Sequence, residues 1–406
     1  MKKVLLIEKR KQAKKLYEEN NWGVRKIARY VVANKCSVCK WINMSDEELE
    51  KDNRGWKKGK PRKYTEEQKK EIKRIRRQLE KEEDFFVGAP VVLDNYNKQH
   101  KANPISSIRF VDRTLQEAGL TKTPQKKRRG VSKYMNYPKR TLNKLGKCVM
   151  SADFIGPKYL KGGDAVNFLS CKYARPSKKG IVRRVEGQTT DESIRILKEI
   201  WRTEPVPDVL QIDNDSAFGI IPLHEKTIGR FTLFLLNLGV KPLYIAPRSP
   251  WNNGNVEGHN SVFSKKFWNK IRFADEDEID VKIEDFNVAY EKYTDLINNN
   301  PASTEVKFMK DFEGVDFENK EVKKFKEHEI RFLRIVRRKG DKGDKKEYGF
   351  IDVLKHEIKL PAKLINSFVY CVLYLKKKKL FCYAEKDGGR LKGVKKVDFK
   401  VKGVIY

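Results

Sequence analysis

Cysteine is scarce in this chain, six scattered among 406 residues, which excludes the disulfide framework of a small secreted scaffold and suits a reducing compartment. No uninterrupted apolar stretch reaches membrane-spanning length. The basic start is followed only by Val4-Leu5-Leu6-Ile7 before Glu8 and another basic run, too short for the apolar region of a secretory signal. The expectation is an intracellular, cytoplasmic protein with no membrane partner. A phosphate-binding P-loop is missing, and so is a Ser/His/Asp pattern with usable context. Acidic residues are few beside basic ones, 55 Asp and Glu against 89 Lys and Arg, for a formal charge of +34. Solubility needs far less than that, so the excess points to a polyanionic partner, with nucleic acid the default and a nucleoid-associated location its corollary.

The charge is unevenly spread. By count it is about +22 over residues 1–150, about −1 over 151–305 and about +13 over 306–406, so basic flanks enclose a balanced middle. The length allows two to four domains. Residues 1–50 read as a helix-turn-helix, with Ala13, Leu16 and Tyr17 on one helical face, then Val24, Ile27 and Ala28, then Val38, Trp41 and Ile42. Its third helix would show Lys35, Ser37 and Lys40 to a major groove. A basic three-helix bundle without groove contact fits the same pattern.

Residues 51–64 read as a Gly, Lys and Pro-rich linker, and 65–120 as a second helix-turn-helix opened by Thr65 and Gln68 in capping-box spacing. Its last helix would run from Pro104 to Ala118 and stop at Gly119, with Ile108, Val111 and Leu115 inward and Ser107, Arg109 and Arg113 outward. Residues 121–145, with Lys126, Lys127, Arg128 and Arg129, lack periodicity and read as a basic linker able to lie along phosphates.

From Gly146 the pattern turns to strands. Cys148 to Ile155, Ala165 to Tyr173 and Gly180 to Val185 form an expected meander. A helix from Asp191 to Trp201, a strand from Val209 to Asp213, a helix from Thr227 to Leu238 and a strand from Pro242 to Ala246 follow. This βββαβαβα order, over 146–300, is that of a ribonuclease-H-like fold. A helix from Ile283 to Ile297 closes it, and 301–406 alternates again as a small β-barrel with basic turns. The fold class expected is thus multidomain, with N-terminal all-α helix-turn-helix modules, an α/β ribonuclease-H-like core and a C-terminal small β-barrel.

Cleaving a phosphodiester and transferring its end asks for two divalent ions roughly 4 Å apart that clamp the attacking and leaving oxygens. Mg²⁺ prefers oxygen ligands, so carboxylates are the residues to seek. Asp153 lies in the first core strand, Asp213 ends the fourth, and Glu257 opens a helix after Asn252-Asn253-Gly254-Asn255-Val256. Parity supports the pairing: Val149, Ser151 and Asp153 share one strand face, as do Val209, Gln211 and Asp213. Asp215 has the same parity but would sit roughly 6 Å further along, beyond a shared ion. Lys265, two turns after Glu257, could hold a DNA phosphate.

Over about Gly146 to Lys270 the chain resembles the retroviral-integrase-like acidic-triad transposases, including many bacterial insertion-sequence enzymes. The resemblance rests on three motifs, of which Ser249-Pro250-Trp251-Asn252-Asn253-Gly254-Asn255-Val256-Glu257 is the most specific. It implies that Asp153, Asp213 and Glu257 hold two Mg²⁺ or Mn²⁺ ions. It further implies cleavage at element ends and strand transfer into target DNA, both double-stranded, by a homo-oligomer. Two departures stand out. The family's Asp-Asn-Gly is here Asp213-Asn214-Asp215, and 43 residues separate Asp213 from Glu257, more than the common spacing. Alternative readings are a DNA-binding regulator with an inactive transposase-derived core, and a ribonuclease-H-like nuclease that cuts without joining.

Other candidates are weaker. Cys36 and Cys39 have zinc spacing but no second Cys or His pair. His224, His259, His328 and His356 lack partner spacing, and His259 reads as a surface histidine. Asp275-Glu276-Asp277-Glu278 reads as a solvated loop.

Overall fold

The computed structural model describes residues 2–51, 63–82, 84–121, 138–219, 224–298, 308, 328–340, 347–386 and 389–405. The basic run Lys126, Lys127, Arg128 and Arg129 lies outside them. The chain divides into two compact units, Met1–Glu66 and Glu67–Tyr406.

The first unit contains α1 (Lys2–Glu18), α2 (Val24–Tyr30), α3 (Lys35–Ile42) and α4 (Asp46–Glu50). Its own apolar cluster of Ala13, Ile27, Val31, Val38, Trp41 and Leu49 holds it together. The helix starts are chemically defined: the Asn34 side chain accepts the Cys36 amide, and Ser45 with Glu48 forms a reciprocal capping box. Tyr17, expected on the inner face, is 44% exposed.

The second unit begins with α5 (Glu66–Lys81), α6 (Ala89–Gln99) and α7 (Ile108–Glu117). Gly119, at φ +70°, ends the last of these in the left-handed conformation that favours glycine. Val111, Thr114 and Leu115 are buried there, whereas Ile108 is exposed. Ile108 occupies the first helical position, just after the cap, where little of the turn exists to cover it. These helices are not a freely tethered module. Phe85 and Phe86, between α5 and α6, pack into an aromatic cluster with Phe263, Phe267 and Phe286 of the central region.

After α8 (Lys139–Leu142) come β1 (Val149–Tyr159), β2 (Ala165–Arg175), β3 (Gly180–Val185), α9 (Thr190–Thr203) and β4 (Val209–Ile212). Then follow β5 (Thr227–Gly229), α10 (Arg230–Asn237), β6 (Lys241–Tyr244), α11 (Gly254–Phe263) and α12 (Glu276–Ile297). The first three strands are antiparallel neighbours, and β4 and β6 run parallel to β1. Sequence periodicity merged β5 with α10; β5 instead pairs in parallel with β14 (Gly403–Ile405), a contact no local pattern encodes. Asp275 caps α12, so the acidic run from Asp275 to Glu278 opens a helix and is not a loop.

The C-terminal strands are β7 (Glu329–Ile335), β8 (Arg337–Lys339), β9 (Tyr348–Val353), β10 (His356–Leu360), β11 (Phe368–Tyr374), β12 (Lys379–Glu385) and β13 (Leu391–Asp398). They correct the expectation of a separate β-barrel. β7 runs parallel to β6, giving one nine-stranded sheet in the order β13-β12-β11-β7-β6-β4-β1-β2-β3. β8, β9 and β10 form a second, three-stranded sheet. Only Val336 separates β7 from β8, so the two sheets diverge at one bend, and among the described residues nothing pairs β10 with β13 to close a barrel. The physical reason is edge cover: without β7, β6 would expose unpaired amides and carbonyls. The apolar core runs continuously through both regions, from Met150, Leu210 and Phe231 to Phe332, Val369 and Leu380. Among the described residues no helix is long and apolar enough to cross a membrane.

Candidate functional site

Strand parity sets up the first two acids. Met150, Ala152, Leu210 and Ile212 point into the main apolar core, while Val149 and Val209 belong to a cluster on the other face. β1 and β4 pair with Val149 opposite Val209 and Ser151 opposite Gln211. Asp153 lies two residues beyond Ser151 and Asp213 two beyond Gln211, just past the carboxyl end of β4, and the charge of Asp213 acts on Asp153. Glu257 arrives in the first turn of α11, where the helix dipole favours an anion.

All three carboxylates line one cleft of about 360 Å³, whose other walls include Asn214, Asp215, Asn253 and the segment Ile245–Ser249. Asp153 is the electrostatic centre. Burial, then the charges of Asp213 and Glu257, push its carboxyl up to about 7, against a hydrogen bond from Asn260. Burial also raises Asp213, partly offset by the Asp215 amide. The Asn260 side-chain amide donates to Asp153 Oδ2 at 2.9 Å. Asn253 donates to the Ala152 carbonyl at 3.3 Å, and Gln211 donates to the Asn252 carbonyl at 2.8 Å, so β1, β4 and the start of α11 are tied together.

Asp215 has a different task. Its Oδ1 accepts the Ala217 amide at 2.9 Å and caps the short turn Ser216–Phe218, while its own amide donates to Asp213 Oδ1 at 3.0 Å. Asn214 donates to the Ile245 carbonyl at 2.6 Å and accepts from Arg334 at 3.0 Å. Among the described residues no three His, Cys, Asp or Glu side chains form a ready cage for a metal ion. What the cleft offers a hard divalent cation is an all-oxygen donor set with uncompensated negative charge around Asp153. A second cleft, of about 460 Å³, adjoins the first through Pro247, Arg248 and Ser249 and is walled by Arg334, Arg337, Asp352 and Lys355.

The far face of α11 carries another polar group. His259 is buried, which corrects its reading as a surface residue; helical spacing turns it away from Glu257 and Asn260. Its Nδ1 shares a hydrogen bond with Ser170 Oγ at 3.0 Å, and its Nε2 has no hydrogen-bond partner among the described residues. Burial drives the imidazole down to about 3, so it is neutral. Next to it, Lys172 donates to Tyr290 Oη at 2.8 Å and to the Lys178 carbonyl, and burial lowers its ammonium to about 7. Gly180 is required here, since a Cβ would stand 2.6 Å from His259 Nε2. His356, also expected to lack a partner, meets Glu225 at 2.7 Å.

The other described residues singled out in the sequence are on α3, at and after the start of α7, and beyond α11. Lys35 and Lys40 are exposed and Ser37 half-buried on α3. Arg109 and Arg113 are exposed on α7, but Ser107 is its cap, accepting the Phe110 amide at 3.3 Å. Lys265 is exposed beyond the end of α11, in a π-helical turn from Ser264 to Trp268. Sequence reasoning missed Asn260, Asn214, Arg248 and Arg334. Asn260 was within reach, three residues after Glu257 on the same helical face.

No protein-family model matches the chain, and no curated protein matches it. Solved structures with local likeness include the simian T-cell lymphotropic virus intasome in complex with PP2A regulatory subunit B56 gamma. It is 13% identical over 54% of this chain and 81% of that one, with a TM-score of 0.26. The Mos1 mariner paired end complex with Mn is 14% identical over 72% and 93%, TM-score 0.29. The corresponding complex with Mg has the same identity and coverage and a TM-score of 0.27. Overlap of this order does not extend any property of those proteins to this chain.

Proposed function

We propose that this chain is a metal-dependent DNA transposase or integrase that cleaves at the ends of an element and joins them to target DNA. One observation carries the reading: three carboxylates from distant parts of the chain line one open cleft, and two of them raise the proton affinity of the third. A folded protein rarely keeps such repulsion without a counter-cation or a chemical task. Asp153, Asp213 and Glu257 would hold two Mg²⁺ or Mn²⁺ ions. When bound, the ions supply charge neutralisation for the attacking and leaving oxygens of a phosphodiester. The protein's carboxylates would form only part of the coordination shell, as is usual for Mg²⁺ sites that also take phosphate oxygens and water.

The chain's own groups do the orienting. Asn260 holds one oxygen of Asp153 and so fixes the direction of that carboxylate. The cationic walls at Arg248, Arg337 and Lys355 offer a path for the DNA backbone next to the acids. Lys35, Ser37 and Lys40 on α3, Arg109 and Arg113 on α7, and the basic run Lys126 to Arg129 are the proposed end-reading and phosphate contacts, with Lys265 beside the cleft helix. Pairing two DNA ends calls for at least two copies of the chain.

The test uses supercoiled plasmid carrying the element's ends, with Mg²⁺ or Mn²⁺. Asp153→Asn, Asp213→Asn and Glu257→Gln should each lose cleavage and joining while binding DNA as before. Wild-type turnover by any of the three sinks the assignment. Cleavage without joining by the unaltered protein would favour the nuclease reading.

A further inference from the structure

We propose that Arg334, contributed by the C-terminal strand β7, is a positioning residue that fixes Asp213 by gripping Asn214 and the opposite wall of the cleft. This rests on the reading of Asp213 as a carboxylate that holds metal. Arg334 is only 4% exposed. Its Nη2 donates to Asn214 Oδ1 at 3.0 Å, its Nη1 to the Ile245 carbonyl at 3.0 Å and the Leu333 carbonyl at 2.8 Å, and its Nε to the Asp352 carbonyl at 2.7 Å.

Asn214 completes the triangle by donating to the same Ile245 carbonyl at 2.6 Å. The turn bearing Asp213 and the strand end that begins the Ile245–Ser249 wall are therefore clasped by one side chain. Every oxygen that Arg334 reaches in these bonds is a neutral carbonyl or amide oxygen. Burying a guanidinium is costly, and an apolar residue would fill the space between strands more cheaply. What an apolar residue cannot do is set the orientation of Asn214 and the Ile245 carbonyl relative to each other. Groups behind a metal-holding side chain fix its direction in this manner. On this reading Arg334 ties the C-terminal strand β7 to the cleft that holds the acids.

Asn214→Ala in the full chain separates the two roles of Arg334, because it cuts the link to Asp213 and leaves the backbone bonds that staple β7 to β6. Binding of Mn²⁺ alone, read by electron paramagnetic resonance of the free ion, should weaken about 10–100-fold. Cleavage should need correspondingly more Mn²⁺, while DNA affinity and the folded fraction stay as in the unaltered protein. Arg334→Lys should change Mn²⁺ binding in the same direction. Asn214→Ala that binds Mn²⁺ normally, beside an Asp213→Asn that does not, overturns the role of Arg334 and spares the functional reading. Asp213→Asn that binds Mn²⁺ normally overturns both.

Discussion

On one face of α11, Asp153, Asp213 and Glu257 crowd like charges around an open cleft; on the other, Ser170, His259, Lys172 and Tyr290 are sealed under β2, β3 and α12. Both constellations are rich in titratable groups, and both shift proton affinities strongly. They differ in what the shift achieves. In the sealed group, burial drives His259 to its neutral form and pulls Lys172 towards it, and hydrogen bonds and a ring contact engage His259 Nδ1 and the Lys172 ammonium. In the cleft, repulsion is left standing where solvent and ligands can reach it. Perturbed titration marks a functional site when the perturbation can still be relieved by something that binds.

The sharpest way to break that contrast is to remove charge from each side. Asp153→Asn should reduce cleavage to assay background and raise the melting temperature of the metal-free protein, because it deletes repulsion. A variant that cleaves normally, or that is destabilised like a core mutant, would erase the distinction. Next in size, Asn260→Ala should lower the cleavage rate about 10–100-fold, as loss of a group that orients a metal ligand does, and leave DNA affinity unchanged in gel shifts.

On the sealed side, Ser170→Ala strands His259 Nδ1 and should cost about 1–3 kcal/mol in urea unfolding, with the rate per folded molecule unaltered. A lost rate there would mean the buried group takes part in the chemistry.

A last contrast separates the two by sign. Asp153 has an ordinary carboxyl value of 3.8 and about 7 in the fold, so its contribution to stability is present below about 4 and lost as pH rises through 7. His259 falls from 6.5 to about 3 and Lys172 from 10.5 to about 7, so theirs grow as pH rises, over about 3 to 6.5 and about 7 to 10.5. Melting curves of the unaltered protein against Asp153→Asn and Lys172→Met, in metal-free buffer, should diverge in those windows and in opposite directions. Identical pH dependence for the two variants would contradict the assigned causes.

Much of this site was legible because it depends on period-two alternation. Burial of Met150, Ala152, Leu210 and Ile212 forces the odd-numbered positions of β1 and β4 to the other face, and the acids lie on that parity. The helix start before Glu257 was equally local. The rest depended on long-range partners. Nothing near Thr227 announces that Gly403 will pair with it, and nothing in Arg334 names Asn214, 120 residues earlier. The alternation of the C-terminal strands was read correctly as strands, but alternation says nothing about neighbours, so the continuation of β7 onto β6 went unseen. His259 was misjudged because a lone histidine carries no sign of burial in its own sequence. Phe85 and Phe86, between two helices, pack against Phe267 and Phe286 far along the chain, partners that no local pattern names.

The pairing of β7 with β6 also imposes an order on synthesis. The first unit has a complete apolar cluster by residue 49 and can fold as soon as it clears the ribosome. The sheet that carries the acids waits for a strand ending at residue 335, and for β11 to β13 behind it. At ordinary elongation rates of about 5–20 residues per second, that delay is roughly 15–60 seconds. Throughout it, the nascent chain would display a folded basic head while the edge of β6 remains uncovered. A message cut short before β7 would therefore yield a folded first unit followed by a sheet whose β6 edge has no partner.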